Sequence, residues 1–121
     1  MIAMITTEEL EQRAVIEWCE WNASRFPQLR LLFHIPNGGS RSKSEGAKFK
    51  GMGVKPGVPD LFLPVPRPPY HGLFIEMKSA HGRVLEPQKG WLIALSNAGY
   101  KAVVCYGARQ AINEIENYMR F

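Results

Sequence analysis

The feature that most restricts this chain is the run Leu73-Phe74-Ile75-Glu76-Met77-Lys78, where an acid and an amine interrupt an otherwise apolar hexapeptide. Such a run reads as a strand, and alternate side chains of a strand share a face. Leu73, Ile75 and Met77 are therefore expected to point one way, with Glu76 and Lys78 together on the other. A second apolar run, Leu61-Phe62-Leu63, follows the turn Gly57-Val58-Pro59-Asp60, and a proline-rich connection from Pro66 to Tyr70 joins the two. They read as adjacent strands, the first of them fraying or lying at an edge beyond Leu63 because Pro64 follows. Pairing them can bring the Asp60 carboxylate beside Glu76, so that two carboxylates and a lysine meet at one sheet rim. The alternative is that Glu76 and Lys78 are a solvent-facing pair on a half-exposed strand and Asp60 an ordinary turn residue.

The remaining pattern supplies helices and two further strands. Thr6-Thr7-Glu8-Glu9 has capping-box spacing, and Leu10, Ala14, Trp18 and Trp21 recur at helical intervals, which predicts an amphipathic helix from Thr7 to Arg25, stopped near Pro27 and with Glu9 used in its cap. Leu29 to Ile35 is an apolar run bounded by prolines and predicts a buried strand. Lys43 to Lys50 predicts one or two helical turns. Pro87 opens a helix carrying Gln88, Trp91, Leu92, Leu95 and Ala98 on one face and ending at Gly99. Lys101 to Tyr106 predicts a buried strand, and Ala108, Ala111, Ile112, Ile115, Tyr118 and Met119 mark a last amphipathic helix. The expected architecture is α/β, a central mixed sheet flanked by helices in the order α-β-(α)-β-β-α-β-α.

Length and charge narrow the function classes. With 121 residues the expectation is one domain spanning 1–121, too short for a two-domain enzyme. Cys19 and Cys105 read as reduced core thiols of a cytoplasmic protein rather than as a disulfide. Met1 to Ile5 is apolar but too short for a signal peptide, and no run approaches the roughly 20 apolar residues of a membrane span. The formal net charge of +4 is concentrated between Asn37 and Val58, where Arg41, Lys43, Lys48, Lys50 and Lys55 face the single acid Glu45. Five glycines in the same stretch let backbone and cationic side chains approach a polyanion, so the segment reads either as a nucleic-acid contact or as a solvated loop. His34, His71 and His81 lack zinc-ligand spacing, and His34 reads as a hydrogen-bonded strand residue. Trp18, Trp21 and Trp91 read as core or dimer packing. Phosphate-loop, dinucleotide and nucleophile-elbow patterns are missing from the sequence.

Convergence of Asp60 and Glu76 has a chemical consequence. Two carboxylates a few ångströms apart repel by about 3–4 kcal/mol at an effective dielectric near 20, so the pair calls for a cation between them. Hard oxygen donors with room for water suit Mg²⁺ or Mn²⁺, and such an ion offers Lewis-acid activation of water and charge neutralisation at a phosphodiester. Lys78, two residues along on the same face, can position the attacking water or take its proton.

The combination Gly57-Val58-Pro59-Asp60-Leu61-Phe62-Leu63-Pro64 followed by Ile75-Glu76-Met77-Lys78 resembles the PD-(D/E)xK nuclease superfamily. Together with Ile35-Pro36-Asn37-Gly38-Gly39-Ser40-Arg41, Gly53 to Pro64, Gly72 to Ser79 and Gln88-Lys89-Gly90-Trp91, the chain from Glu8 to Tyr118 is similar to the VRR-NUC family of virus-type replication-repair nucleases. The resemblance implies a restriction-endonuclease-like core, which agrees with the element order above. It implies metal ligation by Asp60, Glu76 and the Met77 carbonyl, catalysis by Lys78, a motif glutamine at Gln88, and a further acid from the first helix. Glu11 is the first choice for that acid and Glu8 the second. Asn37, Gly38, Gly39 and Arg41 look like a substrate-contacting turn, with Lys43, Lys48, Lys50 and Lys55 extending it. The implied function is a Mg²⁺- or Mn²⁺-dependent DNA endonuclease in DNA repair, resembling Holliday-junction resolvases and acting as a homodimer. The alternative is a catalytically inactive basic DNA-binding or assembly module on the same fold.

Overall fold

A four-stranded mixed sheet in the order β1-β2-β3-β4 organises the chain, comprising β1 (Phe33–His34), β2 (Leu61–Leu63), β3 (Leu73–Lys78) and β4 (Lys101–Tyr106). The computed structural model describes residues 6–36 and 43–120. The first three strands pair antiparallel in sequence order, and β4 returns parallel to β3 through the crossover helix α3 (Glu86–Asn97). Helices α1 (Thr7–Trp21) and α4 (Ala108–Arg120) pack against each other and against β3 and β4, while α2 (Lys43–Gly51) precedes the turn leading into β2. The α/β architecture expected from the sequence, a mixed sheet flanked by helices, is therefore present.

The core lies between the sheet and the α1–α4 pair. Leu61, Leu63, Leu73, Ile75 and Met77 face Val15, Cys19, Ala111, Ile115 and Met119 in one cluster. Each fully buried aliphatic side chain of this set contributes about 1.5–3 kcal/mol relative to exposure. On the alternate strand positions Phe62 stacks on Phe74 at 4.1 Å, and Tyr100 meets Phe74 edge-on at 5.2 Å. With a strand on either side and side chains packed on both faces, β3 is buried at all six positions. Glu76 is 2% exposed and Lys78 6%, which overturns the solvent-facing alternative for this pair.

Several local expectations change. Helix α1 stops at Trp21 instead of Arg25, because the Asn22 side chain donates to the Trp18 carbonyl and the chain turns before Pro27. Its buried stripe is Val15 and Cys19, with Trp18 and Ile16 partly covered, while Leu10 is 55% and Trp21 79% exposed. The face expected from Leu10, Ala14 and Trp21 is thus rotated from the one that packs. Residues Pro27–Leu31 form a 3₁₀ turn, not a strand, because Pro27 opens a tight helical turn that seats Leu29 in the core. Only Phe33–His34 pair in the sheet, and both are exposed. In β4 only Cys105 is fully buried, as suits an edge strand lined by α3. Gly99, at φ +98°, follows α3 where the sequence expected its end. Among the described residues no helix is long and apolar enough to cross a membrane.

Candidate metal centre

The antiparallel register sets Leu61 opposite Ile75, so Asp60, one position before β2, comes across from the Glu76 end of β3. The turn that delivers it depends on Gly57. That residue has φ +90°, and a Cβ there would lie 2.7–2.8 Å from Pro87 atoms, so only glycine lets the Gly-Val-Pro turn close against the start of α3. Trp91 secures the same contact by donating its Nε1–H to the Pro56 carbonyl at 3.0 Å. Asp60 is then pinned at both ends. Its Oδ2 accepts from the Met77 amide at 2.7 Å, and its carbonyl accepts from the Ile35 amide at 2.7 Å and lies 2.9 Å from His34 Nδ1.

Oxygens of Glu8, Asp60 and Glu76 all lie within 4.8 Å of one another. The third acid is Glu8 in the first turn of α1, whereas Glu11 is engaged elsewhere: its Oε2 accepts from the Ala108 amide at the start of α4. The physical reason is the rotated stripe. Positions 8, 12, 15 and 19 share one side of a helix, so the side that buries Val15 and Cys19 also turns Glu8 toward the sheet. The signal was available in the sequence as the Val15–Cys19 pair, but Trp18 and Trp21 drew the expected face away from it.

Electrostatics reflect the crowding. The Glu76 carboxyl is pushed up to about 8 from an ordinary 4.5, first by burial, then by the Asp60 charge and hydrogen bond and by Glu8, with the Lys78 ammonium opposing. Burial also raises Glu8, the Asp60 charge adding to it and Lys78 again opposing. The Lys78 ammonium lies 3.7 Å from Glu76 Oε2 in this buried wall. Gly82 lets the following loop close over its stem, since a Cβ there would sit 3.2 Å from both Lys78 Cβ and Cδ. One lysine against three carboxylates leaves a net negative, oxygen-lined site, and a hard divalent cation fits that donor set.

The other expected site residues divide. Met77 lies between Glu76 and Lys78, with its amide on Asp60. Gln88 is half-buried and its Oε1 accepts from the Leu85 amide at 2.8 Å, capping the first turn of α3. Lys43 opens α2, Lys48 and Lys50 are exposed in its last turn, and Lys55 is exposed in the loop before Asp60. Asn37, Gly38, Gly39 and Arg41 fall outside the described residues.

Comparison with known proteins now decides the family. The VRR-NUC domain profile matches residues 6–109. The chain belongs to the VRR-NUC family. A solved structure described as a "VRR_NUC domain protein" superimposes with a TM-score of 0.81 at 34% identity, covering 98% of this chain and 92% of the other. A search of functionally curated proteins finds no match. As a VRR-NUC domain, the chain falls in a nuclease superfamily, and its acidic triad is where a metal ion can be held.

An exchange at Asp60 tests that assignment. Asp60→Asn keeps an oxygen for the Met77 amide while relieving repulsion with Glu76 and Glu8. The metal-free variant is expected to melt at or slightly above the wild-type temperature and to lose the stabilisation that Mn²⁺ gives. Thermal unfolding with and without Mn²⁺ measures both, and full Mn²⁺ stabilisation of the variant would remove Asp60 from the ligand set.

Proposed function

We propose that this chain is a Mg²⁺- or Mn²⁺-dependent endodeoxyribonuclease that hydrolyses phosphodiester bonds as a homodimer and prefers branched DNA, with the four-way junction as its sharpest substrate. The reading treats residues 1–121 as one nuclease domain. The observation that carries it is the meeting of Glu8, Asp60 and Glu76 oxygens within 4.8 Å, beside a buried lysine. A divalent ion bound there, with the Met77 carbonyl as a further oxygen, supplies Lewis-acid activation of water and neutralises charge on the phosphate.

The chain's own residues do the rest. Asp60 and Glu76 hold their oxygens in place because one is tied to the Met77 amide and the other is set in the central strand. Lys78 projects from the same strand face and positions the attacking water or takes its proton. Gln88 caps the first turn of α3, the helix start against which the Gly57 turn leading to Asp60 closes. The basic segment from Asn37 to Lys55 grips the DNA backbone, and such contacts orient the duplex without reading bases. Dimerisation matches the substrate: a single 13.7 kDa domain has too little surface to span a junction, whereas two copies cut it symmetrically.

The test is a cleavage panel of four-way junction, flap, nicked duplex, linear duplex and single strand with each divalent ion, run beside sedimentation. Metal-dependent internal cuts, fastest on the junction, and a dimer mass are expected. DNA binding without metal and without cleavage under any ion would support the inactive binding or assembly module instead.

The basic segment makes a separate expectation. If Arg41, Lys43, Lys48, Lys50 and Lys55 each neutralise one phosphate, log K falls with log salt at a slope of roughly −4.5, a loss of several hundredfold between about 50 and about 200 mM. Exchanging Lys48 and Lys50 for Gln is expected to flatten that slope by roughly 1.8. Fluorescence anisotropy without divalent ions reads it, and an unchanged slope would remove this helix from the DNA contact.

A further inference from the structure

The start of α1 is weakly anchored by apolar packing. From Thr7 to Ala14 no side chain is fully buried, and the first that is, Val15, comes seven residues after Glu8. At 1.5 Å per residue that is about 10 Å of helix beyond its first core contact. Glu8 also faces charges of both signs, the Lys78 ammonium attracting it and the Asp60 carboxylate repelling it, and neither fixes the angle at which the helix stands to the sheet. Apolar packing alone does not account for its being held there.

Glu11 supplies the missing tether. Its Oε2 accepts from the backbone N–H of Ala108, the first residue of α4, one of the donors a helix leaves unpaired at its start. The α4 dipole favours a carboxylate at that position. The preceding residue, Gly107, donates its amide to the Lys78 carbonyl at 2.9 Å. A continuous path therefore runs from α1 through Glu11, Ala108 and Gly107 to the end of β3, two residues from Glu76. Glu11 follows Glu8 by three positions, so both side chains leave the same side of α1.

We infer that Glu11 is a positioning residue: by clamping α1 to the start of α4 it holds Glu8 within ligand distance of Asp60 and Glu76, and it contacts neither metal nor DNA itself. The inference rests on reading the triad as a metal centre, and the test separates the two. Mn²⁺ binding to the full chain is measured by calorimetry, without DNA, for wild type, Glu11→Ala, Glu11→Gln, Glu8→Ala and the Glu8→Ala, Glu11→Ala double variant.

Wild type is expected to bind, and Glu11→Ala to bind about tenfold or more weakly, in line with losing a hydrogen bond to a charged acceptor. Glu11→Gln retains an oxygen acceptor and is expected to stay within about threefold of wild type. In the Glu8→Ala background, the Glu11 exchange is expected to change affinity by less than about twofold, because it acts through Glu8. A general loss of folding would instead weaken binding in both backgrounds, and that result overturns the inference, as does wild-type affinity in Glu11→Ala. Failure of the wild type itself to bind Mn²⁺ overturns the metal-centre reading, and the inference with it.

Discussion

Replacing Lys78 with methionine, or Glu76 with glutamine, is expected to lower DNA cleavage by about 10³-fold or more while leaving metal-free DNA binding within about threefold. Both exchanges preserve side-chain volume in a wall where Glu76 and Lys78 are almost wholly covered. Alanine would be a poorer probe, because it would also open a cavity in that packed wall, which typically costs about 2–5 kcal/mol. The expected loss has two sources: Glu76 contributes an oxygen that only the charged carboxylate offers strongly, and Lys78 is the cation beside it at 3.7 Å. Single-turnover cleavage of a four-way junction, paired with anisotropy in chelator, separates chemistry from binding. Metal-dependent cleavage unchanged in both variants would reject these residues as the catalytic pair.

The second large effect is a pH dependence that metal offsets. The unfolded chain ionises Glu76 near 4.5, whereas the fold holds its proton up to about 8 because of burial and the neighbouring carboxylates. Between those values the native state binds more protons than the unfolded state, so the metal-free fold loses stability as pH rises, by at most about 1.4 kcal/mol per pH unit. Divalent metal requires the ionised carboxylate, so its binding releases protons and tightens as pH climbs toward about 8. Unfolding temperatures from about pH 5 to about pH 8 are therefore expected to fall without Mn²⁺. The stabilisation on adding Mn²⁺ is expected to grow over the same range. Glu76→Gln, which cannot ionise, should flatten the metal-free profile. A wild-type profile that matches the glutamine variant throughout would mean that Glu76 carries its charge in the fold.

The strand pair was legible because it depends on neighbours in sequence. Asp60 lies directly before a three-residue apolar run, and Glu76 and Lys78 alternate with Ile75 and Met77, so strand periodicity alone puts the acid and the amine on one face. Burial of that face was not legible. The same tripeptide on an edge strand would meet water, and only its place between β2 and β4 makes Glu76 2% and Lys78 6% exposed. Of the apolar run from Leu29 to Ile35 only Phe33–His34 pair as a strand, because a short apolar segment serves a 3₁₀ turn equally well once Pro27 opens one.

What the sequence determined by itself was the order of elements, the family, and the chemistry available at Asp60, Glu76 and Lys78. These rest on local periodicity and on residue types set at fixed spacing. Tertiary structure decided which glutamate of the first helix joins them. Glu8 and Glu11 are three residues apart on the same side of α1, and their intrinsic chemistry is identical. The difference lies in what each meets in space: Glu11 finds the Ala108 amide of a helix nearly a hundred residues away, and Glu8 finds Asp60 and Glu76. Long-range docking of α1 on α4 and the sheet sets that choice; the Val15–Cys19 spacing within α1 points to the side that packs, but only the fold shows which glutamate meets the other acids.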